Sequence, residues 1–345
     1  MDNLLDCIRN NDPNVTEAAI TVGDDDEMDA LCQALNHNKN VTKLLMGYSE
    51  LAGTKRLDQL SQALEHTNVR YLSLSNCQIN AEGVKALLSR VILPSLEFLD
   101  LRYNELGNDG VTTLSEALNE ALSNEIGSEG RSGVKTLLLG NCDISDEGAL
   151  EVTEFLIKEL NELDLSGNEI GDEGVNALTQ AMIVMGESCK LKCLNLRENE
   201  IGDEGAISLS LAMASTSCLQ ELNLSDNEIG NEGCELLAHV LSKKSSMKRL
   251  ILHSNRIDEQ GALYFLDALD YHNEHLAHLD LSRNNISKAT RQDISEVLEC
   301  NRKGVKRQIY KGPHKNEDDG IVPRILKSIG YSDLLYCCND NTALA

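Results

Sequence analysis

The sequence predicts an α/β solenoid, with short parallel strands on a concave face and helices on a convex one. Three observations predict it. An eleven-residue frame, clearest in Leu160-Asn161-Glu162-Leu163-Asp164-Leu165-Ser166-Gly167-Asn168-Glu169-Ile170, recurs from Leu96, Leu191, Leu219, Met247 and Leu276, and with Ser or Cys at its ninth place from Val41, Val69 and Val134. Successive frames start 28, 27, 38, 26, 31, 28, 28 and 29 residues apart. Each frame is followed by apolar residues at helical spacing, as at Val175, Leu178, Ala181 and Met182. A unit this short cannot bury its own apolar side alone, so such units must stack.

In chain order, residues 1–40 form an N-terminal cap and a degenerate first repeat. Leu4, Leu5 and Ile8 have helical spacing and Asn11-Asp12-Pro13-Asn14 stops them. Val15 to Val22 reads as a first strand, and the run Asp24-Asp25-Asp26-Glu27 supplies negative charge to the start of a helix that continues through Leu35. The array proper covers 41–300. Within each frame the middle alternates with period two, so it is a strand whose leucines are buried while the intervening residues face the concave side. The ninth residue turns the chain inward, where an amide can satisfy backbone groups of neighbouring turns. Four residues after the frame comes glycine, at Gly83, Gly110, Gly148, Gly174, Gly205, Gly233 and Gly261, which lets the helix start approach the sheet closely; Lys55 and Thr290 replace it in the first and last frames. The 38-residue spacing reflects an insertion near 119–133, either a mobile loop or a lengthened helix. A helix over Gln292–Glu299 closes the array. The tail, 301–345, begins basic, with six Lys or Arg and no acid in Asn301–Lys315, and then turns apolar around Ile325, Leu326 and Ile329, which are expected to dock on the final repeat or the acidic edge.

Composition agrees with stacked aliphatic units: 41% apolar residues, but three Phe and no Trp. A formal charge of -25 argues against nucleic acid and anionic membranes, which demand a basic footprint, and suits a protein partner with a basic surface. Eleven scattered cysteines in a chain of this length, with no signal-like start and no run near the ~20 apolar residues of a membrane span, lead to reduced thiols and a cytoplasmic or nuclear location.

The frame, the Asp-Glu-Gly turn and the 28 to 29 spacing resemble the ribonuclease-inhibitor-like class of leucine-rich repeats, which also includes Ran GTPase-activating proteins and the recognition arrays of NOD-like receptors. The resemblance covers residues 41 to about 300 and implies a leucine-rich repeat horseshoe that binds proteins without chemistry of its own. No GxxxxGK[ST] segment accompanies it. An alternative reading is a GTPase-activating protein for a small Ran-type GTPase, for which Arg102 and Arg197, near strand ends on the concave side, are the arginine-finger candidates.

No catalytic, cofactor or metal site is expected. His272, His275 and His278, with His253 one strand away, lack a closing Cys or carboxylate set, and Cys189 and Cys193 fit no zinc or redox motif and read as inert. Neither a GxSxG elbow nor an EF-hand pattern is present. Asp172-Glu173 and Asp203-Glu204 stand at helix starts and read as caps. Two features point to a partner surface. Tyr48, Tyr71, Phe98 and Tyr103 fall at outward places of the strands, with the rings of Tyr71 and Phe98 expected to touch; they anchor a partner, or the tail or cap covers them. Glu169, Glu200 and Glu228 stack beside Glu198, Asp226, Asp172 and Asp203, as a solubilising edge or a site for basic protein.

Overall fold

The computed structural model describes residues 2–36, 38–90, 96–124, 133–155, 159–243, 246–271 and 275–304. The expected docking segment of the tail, His272 and part of the insertion lie outside the described residues.

Three-residue strands are all that each frame needs, because one buried leucine between two outward residues is the repeating event. They are β1 (Glu17–Ala19), β2 (Lys43–Leu45), β3 (Tyr71–Ser73), β4 (Phe98–Asp100), β5 (Thr136–Leu138), β6 (Glu162–Asp164), β7 (Cys193–Asn195), β8 (Glu221–Asn223), β9 (Arg249–Ile251) and β10 (His278–Asp280). All ten pair in parallel in chain order, forming one open sheet, and each strand is followed by a helix. Helices cover one sheet face; the other is the concave side of the sequence reading.

The frame places its apolar residues inward without exception in the repeat that begins at Leu160: Leu160, Leu163, Leu165 and Ile170 are all at most 1% exposed. Fully burying such side chains contributes about 1.5–3 kcal/mol each, and the same pattern recurs in every unit. Pairing continues past the strands. The amide at the eighth place of each frame donates to the seventh-place carbonyl of the next, as Gly167 to Arg197 (2.8 Å) and Glu198 to Ser225 (2.8 Å). To reach that bond the eighth residue adopts positive φ in all nine frames, from Tyr48 (62°) to Arg283 (55°).

The ninth-place amide does what its chemistry allows. Asn168 Nδ2 donates to Leu139 O (3.0 Å) and Leu165 O (2.9 Å), and its Oδ1 accepts from the amides of Cys142 (3.0 Å) and Ile144 (3.1 Å). One side chain thus joins two repeats and supplies partners to buried backbone groups of both. The glycines call for a correction. They face the preceding repeat rather than the sheet: a Cβ on Gly205 would lie 2.6 Å from Asp172 Oδ1, and one on Gly174 would lie 2.5 Å from Asp146 Oδ1. Asp172 and Asp203 cap helices, but those of the following repeat. Asp172 Oδ1 accepts from Gly202 N (2.8 Å) and Gly205 N (2.9 Å), and Asp203 Oδ1 accepts from Gly230 N (2.8 Å) and Gly233 N (2.9 Å). The local cap residues Gly202 and Gly230 have no side chain to offer, so the acceptor must come from upstream.

Where glycine is missing, a side chain takes over the contact. Lys55 Nζ reaches Asp25 Oδ2 at 2.6 Å, and the Thr290 hydroxyl bonds to Glu259, whose other oxygen accepts from Ser287 N at 2.8 Å. The insertion begins as the lengthened helix of the two alternatives, since Gly107–Asn124 is one helix of 18 residues. The closing helix is longer than expected, Lys288–Lys303, with Ser287 Oγ accepting from Thr290 N at its start and Gly304 left-handed at its end.

Candidate functional site

In a parallel sheet with helices on one side, the residues flanking each buried leucine make up the opposite face. Register places Lys43 beside Tyr71 and Tyr71 beside Phe98. The rings of Tyr71 and Phe98 stack with centroids 3.7 Å apart and planes 8° apart, so the expected contact is present. Lys43 Nζ sits 4.9 Å from the centre of the Tyr71 ring and 3.2 Å from Glu17 Oε1. Glu17, Lys43, Tyr71 and Phe98 therefore form one continuous row across β1 to β4, in which each group is satisfied by its neighbour. Burial pushes the Tyr71 phenol up. Lys43 was missed in the sequence, although its place in the frame at Val41 could have revealed it.

Tyr48 and Tyr103 are placed differently from the expectation. They lie beyond the strand ends, at the left-handed eighth place of their frames, with φ of 62° and 59°. Left-handed backbone costs a non-glycine residue roughly 1 kcal/mol, and the ring points to solvent in return: Tyr48 is 76% and Tyr103 57% exposed. Their turns are two repeats apart, with Asn76 at the same place between them. The structure thus brings two of the four aromatics together and leaves the other two as separate exposed rings beside them.

The acidic ridge follows from the tenth place of the frame. The amides of Glu169, Glu200 and Glu228 donate to Ile144 O (2.9 Å), Ile170 O (2.9 Å) and Ile201 O (2.8 Å), a ladder that stacks these residues along one edge with their side chains exposed. Asp172 and Asp203 leave this group, because their carboxylates are turned to the next helix start. Asp226 pairs with Arg197 at 2.9 Å, and Glu228 pairs with Arg256. Among the described residues Glu169, Glu198 and Glu200 have no ion-pair partner.

Neither arginine is a free guanidinium. Arg102 forks onto the buried Asp100 with Nε to Oδ1 at 2.9 Å and Nη2 to Oδ2 at 3.1 Å, while Ser73 Oγ donates to the same carboxylate. The hydrogen bond with Asp100 raises the Arg102 pKa. At the other end of the sheet, His253 Nδ1 lies 2.7 Å from Ser282 Oγ, and the Ser282 amide donates to Asp280 Oδ1 at 2.9 Å. Burial works against the charged Asp280, but the Ser282 hydroxyl and amide and the two histidines outweigh it and hold its pKa below the ordinary value. The serine, not the histidine, occupies the middle, so this is not the order of a nucleophile, base and orienting acid. Among the described residues no three His, Cys, Asp or Glu side chains are grouped to hold a metal ion. No helix there is long and apolar enough to cross a membrane.

The Leucine Rich repeat family model matches residues 65–88, 93–115, 134–152, 159–178, 187–210, 216–238 and 272–289. Over 214 residues the chain is 29% identical to NACHT, LRR and PYD domains-containing protein 2 of Homo sapiens, an alignment that spans 52% of this chain and 19% of that protein. It is 35% identical over 126 residues to the ribonuclease inhibitor of Mus musculus, covering 36% of this chain and 25% of the inhibitor. The chain therefore spans about a fifth to a quarter of these relatives. Among solved structures, an internalin from Listeria monocytogenes aligns with a TM-score of 0.46 at 18% identity, over 80% of this chain and 76% of that one.

Proposed function

Given a chain of the ribonuclease-inhibitor-like leucine-rich repeat family, we propose that the array is a non-enzymatic protein-binding module whose open sheet face and acidic edge receive a partner with a basic surface. The observation that carries this reading is the pair of solvent-facing rings, Tyr48 and Tyr103, held in left-handed turns beside the stacked Tyr71 and Phe98. Exposed aromatics gain most when a partner dries them, and aromatic anchors carry much of the energy in binding hot spots. Glu169, Glu198 and Glu200 add uncompensated negative charge along the edge, which steers a basic partner toward the face and is screened by salt. The pairing of Arg102 with Asp100 and of Arg197 with Asp226 weighs against the GTPase-activating alternative, since an arginine finger must reach a transferring phosphoryl group.

The test is affinity capture from native lysate with the full chain, compared with Tyr48→Ala/Tyr103→Ala and with Glu169→Gln/Glu198→Gln/Glu200→Gln. Loss of the same captured protein by the aromatic variant, together with a weaker salt dependence for the glutamine variant, supports the proposal. Capture unaffected by either would sink it. A panel of small GTPases tests the chemistry: stimulation of GTP hydrolysis by roughly a thousandfold, abolished by Arg102→Ala or Arg197→Ala, would favour the alternative.

A further inference from the structure

We propose that the open sheet face over β6 to β8 carries a socket for one arginine side chain of a protein partner, with the carboxylate of Asp164 at its base and those of Glu162 and Glu221 at its rim. The proposal rests on the protein-binding reading above and names the side chain that this part of the face selects. Glu162, Cys193 and Glu221 hold the third place of consecutive frames and lie side by side in register. Cys193 is the shortest of the three, so two glutamates about 9.6 Å apart in backbone, two strand spacings, flank a dip. The hollow there, which Asp164, Asn195 and Asn223 also line, has a volume of about 210 Å³. That is under the roughly 300–1,000 Å³ of small-molecule pockets and suits a single side chain.

The chain shows twice what a carboxylate at these places takes when a cation is at hand. At the third place, Glu17 Oε1 pairs with Lys43 Nζ of the next strand at 3.2 Å. At the fifth, the buried Asp100 accepts four hydrogen bonds: Arg102 N (3.1 Å) and Nε (2.9 Å) donate to Oδ1, and Arg102 Nη2 (3.1 Å) and Ser73 Oγ (3.0 Å) donate to Oδ2. Asp164 holds the fifth place two repeats on and is 8% exposed, but Ser166 stands where Arg102 does. Its Oδ1 accepts from Ser166 N (3.0 Å) and Asn195 Nδ2 (2.8 Å). Its Oδ2 accepts from no donor among the described residues and still touches solvent. A buried carboxylate is costly until its lone pairs are filled, and a guanidinium fills two of them at once with a fixed fork.

No cation among the described residues neutralises this group. Arg249, the cation of the lining, is in register with Glu221, yet none of Glu162, Asp164, Glu221 and Arg249 belongs to an ion pair there. An arginine entering over Cys193 would lie between the two rim glutamates and bring donors to Asp164. A lysine, a single point charge, cannot fork in this way. The edge glutamates draw any basic surface, whereas this socket distinguishes arginine from lysine.

The experiment titrates the full, isotope-labelled chain with N-acetyl-arginine amide, and with its lysine and citrulline counterparts, and follows backbone and side-chain amides by NMR. Shifts are expected at Asp164, Cys193, Asn195 and Glu221, with the arginine probe binding about tenfold tighter than the uncharged citrulline probe and tighter than the lysine probe. Glu162→Gln removes one rim charge and should weaken the arginine probe about threefold. Ser166→Arg, which rebuilds beside Asp164 the pair that Arg102 makes with Asp100, should abolish binding, as should Asp164→Asn. The first two variants keep the test decisive should Asp164→Asn fail to fold. The proposal fails if lysine or citrulline binds as well as arginine, if the shifts fall instead on the edge around Glu169 and Glu200, or if Ser166→Arg leaves binding unchanged. Because the probe is read without any partner, failure of the socket and failure of the protein-binding reading in the capture experiment are separate results.

Discussion

The inner bends at Cys77 and Cys142 and those from Asn168 to Asn284 trace the same path with different atoms. Asn168 makes bonds to five backbone groups in two repeats, whereas Cys77 Sγ lies within reach of two carbonyls, Met46 O at 3.2 Å and Ser75 O at 3.4 Å, and has no acceptor strength to match an amide oxygen. The repeat before Cys77 meets its amides with backbone carbonyls instead: Ser49 N–H bonds to Met46 O (3.3 Å), and Leu51 N–H to Ser49 O (3.0 Å) and, across the junction, to Cys77 O (3.3 Å). Helix starts show a similar contrast. Asn80 caps its own helix through Gly83 N at 3.0 Å, but Asp146, Asp172, Asp203 and Asn231 each cap the helix that follows theirs. Nearest-neighbour coupling in a solenoid is the sum of such contacts, so the junctions closed by an asparagine, among them the one at Asn104 in the repeat that carries Tyr103, are fastened more firmly than those closed by Cys77 or Cys142.

The sharpest way to break this comparison is at the ninth place. Asn168→Ala strips partners from buried amides and carbonyls and should cost about 3 kcal/mol or more, while Cys77→Ala loses only weak thiol contacts and a small volume and should cost about 1 kcal/mol. Urea unfolding of the two variants measures both, and equal losses would erase the distinction. Next in size is Asp172→Ala, expected to cost about 1–2 kcal/mol as a lost cap. Its signature is faster amide exchange at Gly202 and Gly205, in the next repeat, and exchange confined to Asp172's own helix would refute the cross-repeat assignment.

A smaller effect is expected on the aromatic row. Phe98→Ala removes a stacked ring and should cost about 1 kcal/mol from that contact, whereas Tyr48→Ala should leave thermal stability within about 0.5 kcal/mol of wild type, because the ring is 76% exposed. A large loss for Tyr48→Ala would make it a structural residue. The smallest concerns the final repeat. The Thr290 hydroxyl and the Ser287 amide hold the Glu259 pKa below its ordinary value. A depressed folded value means that this stabilisation is fully present above the ordinary carboxylate range and is lost as pH falls through the folded pKa. Glu259→Gln should therefore melt below wild type at pH 7, with the difference closing in acid; a gap that persists at pH 2 would assign the effect to packing.

Much of this architecture was legible in the residues because it depends on short periods. Leu163 between Glu162 and Asp164, or Asn168 three places after Leu165, reads directly as strand and turn. The touching rings of Tyr71 and Phe98 were legible for the same reason, since equal frame places become neighbours in register. The destination of Asp172 was not, because a carboxylate at a helix start serves either its own helix or one some thirty residues on, and only the packing decides. Tyr48 and Tyr103 were misplaced because the frame does not reveal that its eighth place leaves the strand for positive φ.

That upstream carboxylates serve downstream helices gives the array a reading direction, and with it a rule for how such a chain can change length over generations. Excise 160–190 in frame, and Asp146 stands before Gly202 and Gly205 in the place that Asp172 now holds. The new junction needs no compensating substitution. Duplication obeys the same rule, and each event would displace every downstream residue by one strand spacing, about 4.8 Å. The distance between the exposed tyrosines and the glutamate edge is thus a quantity that evolution can count out in whole units, leaving the chemistry at either end untouched.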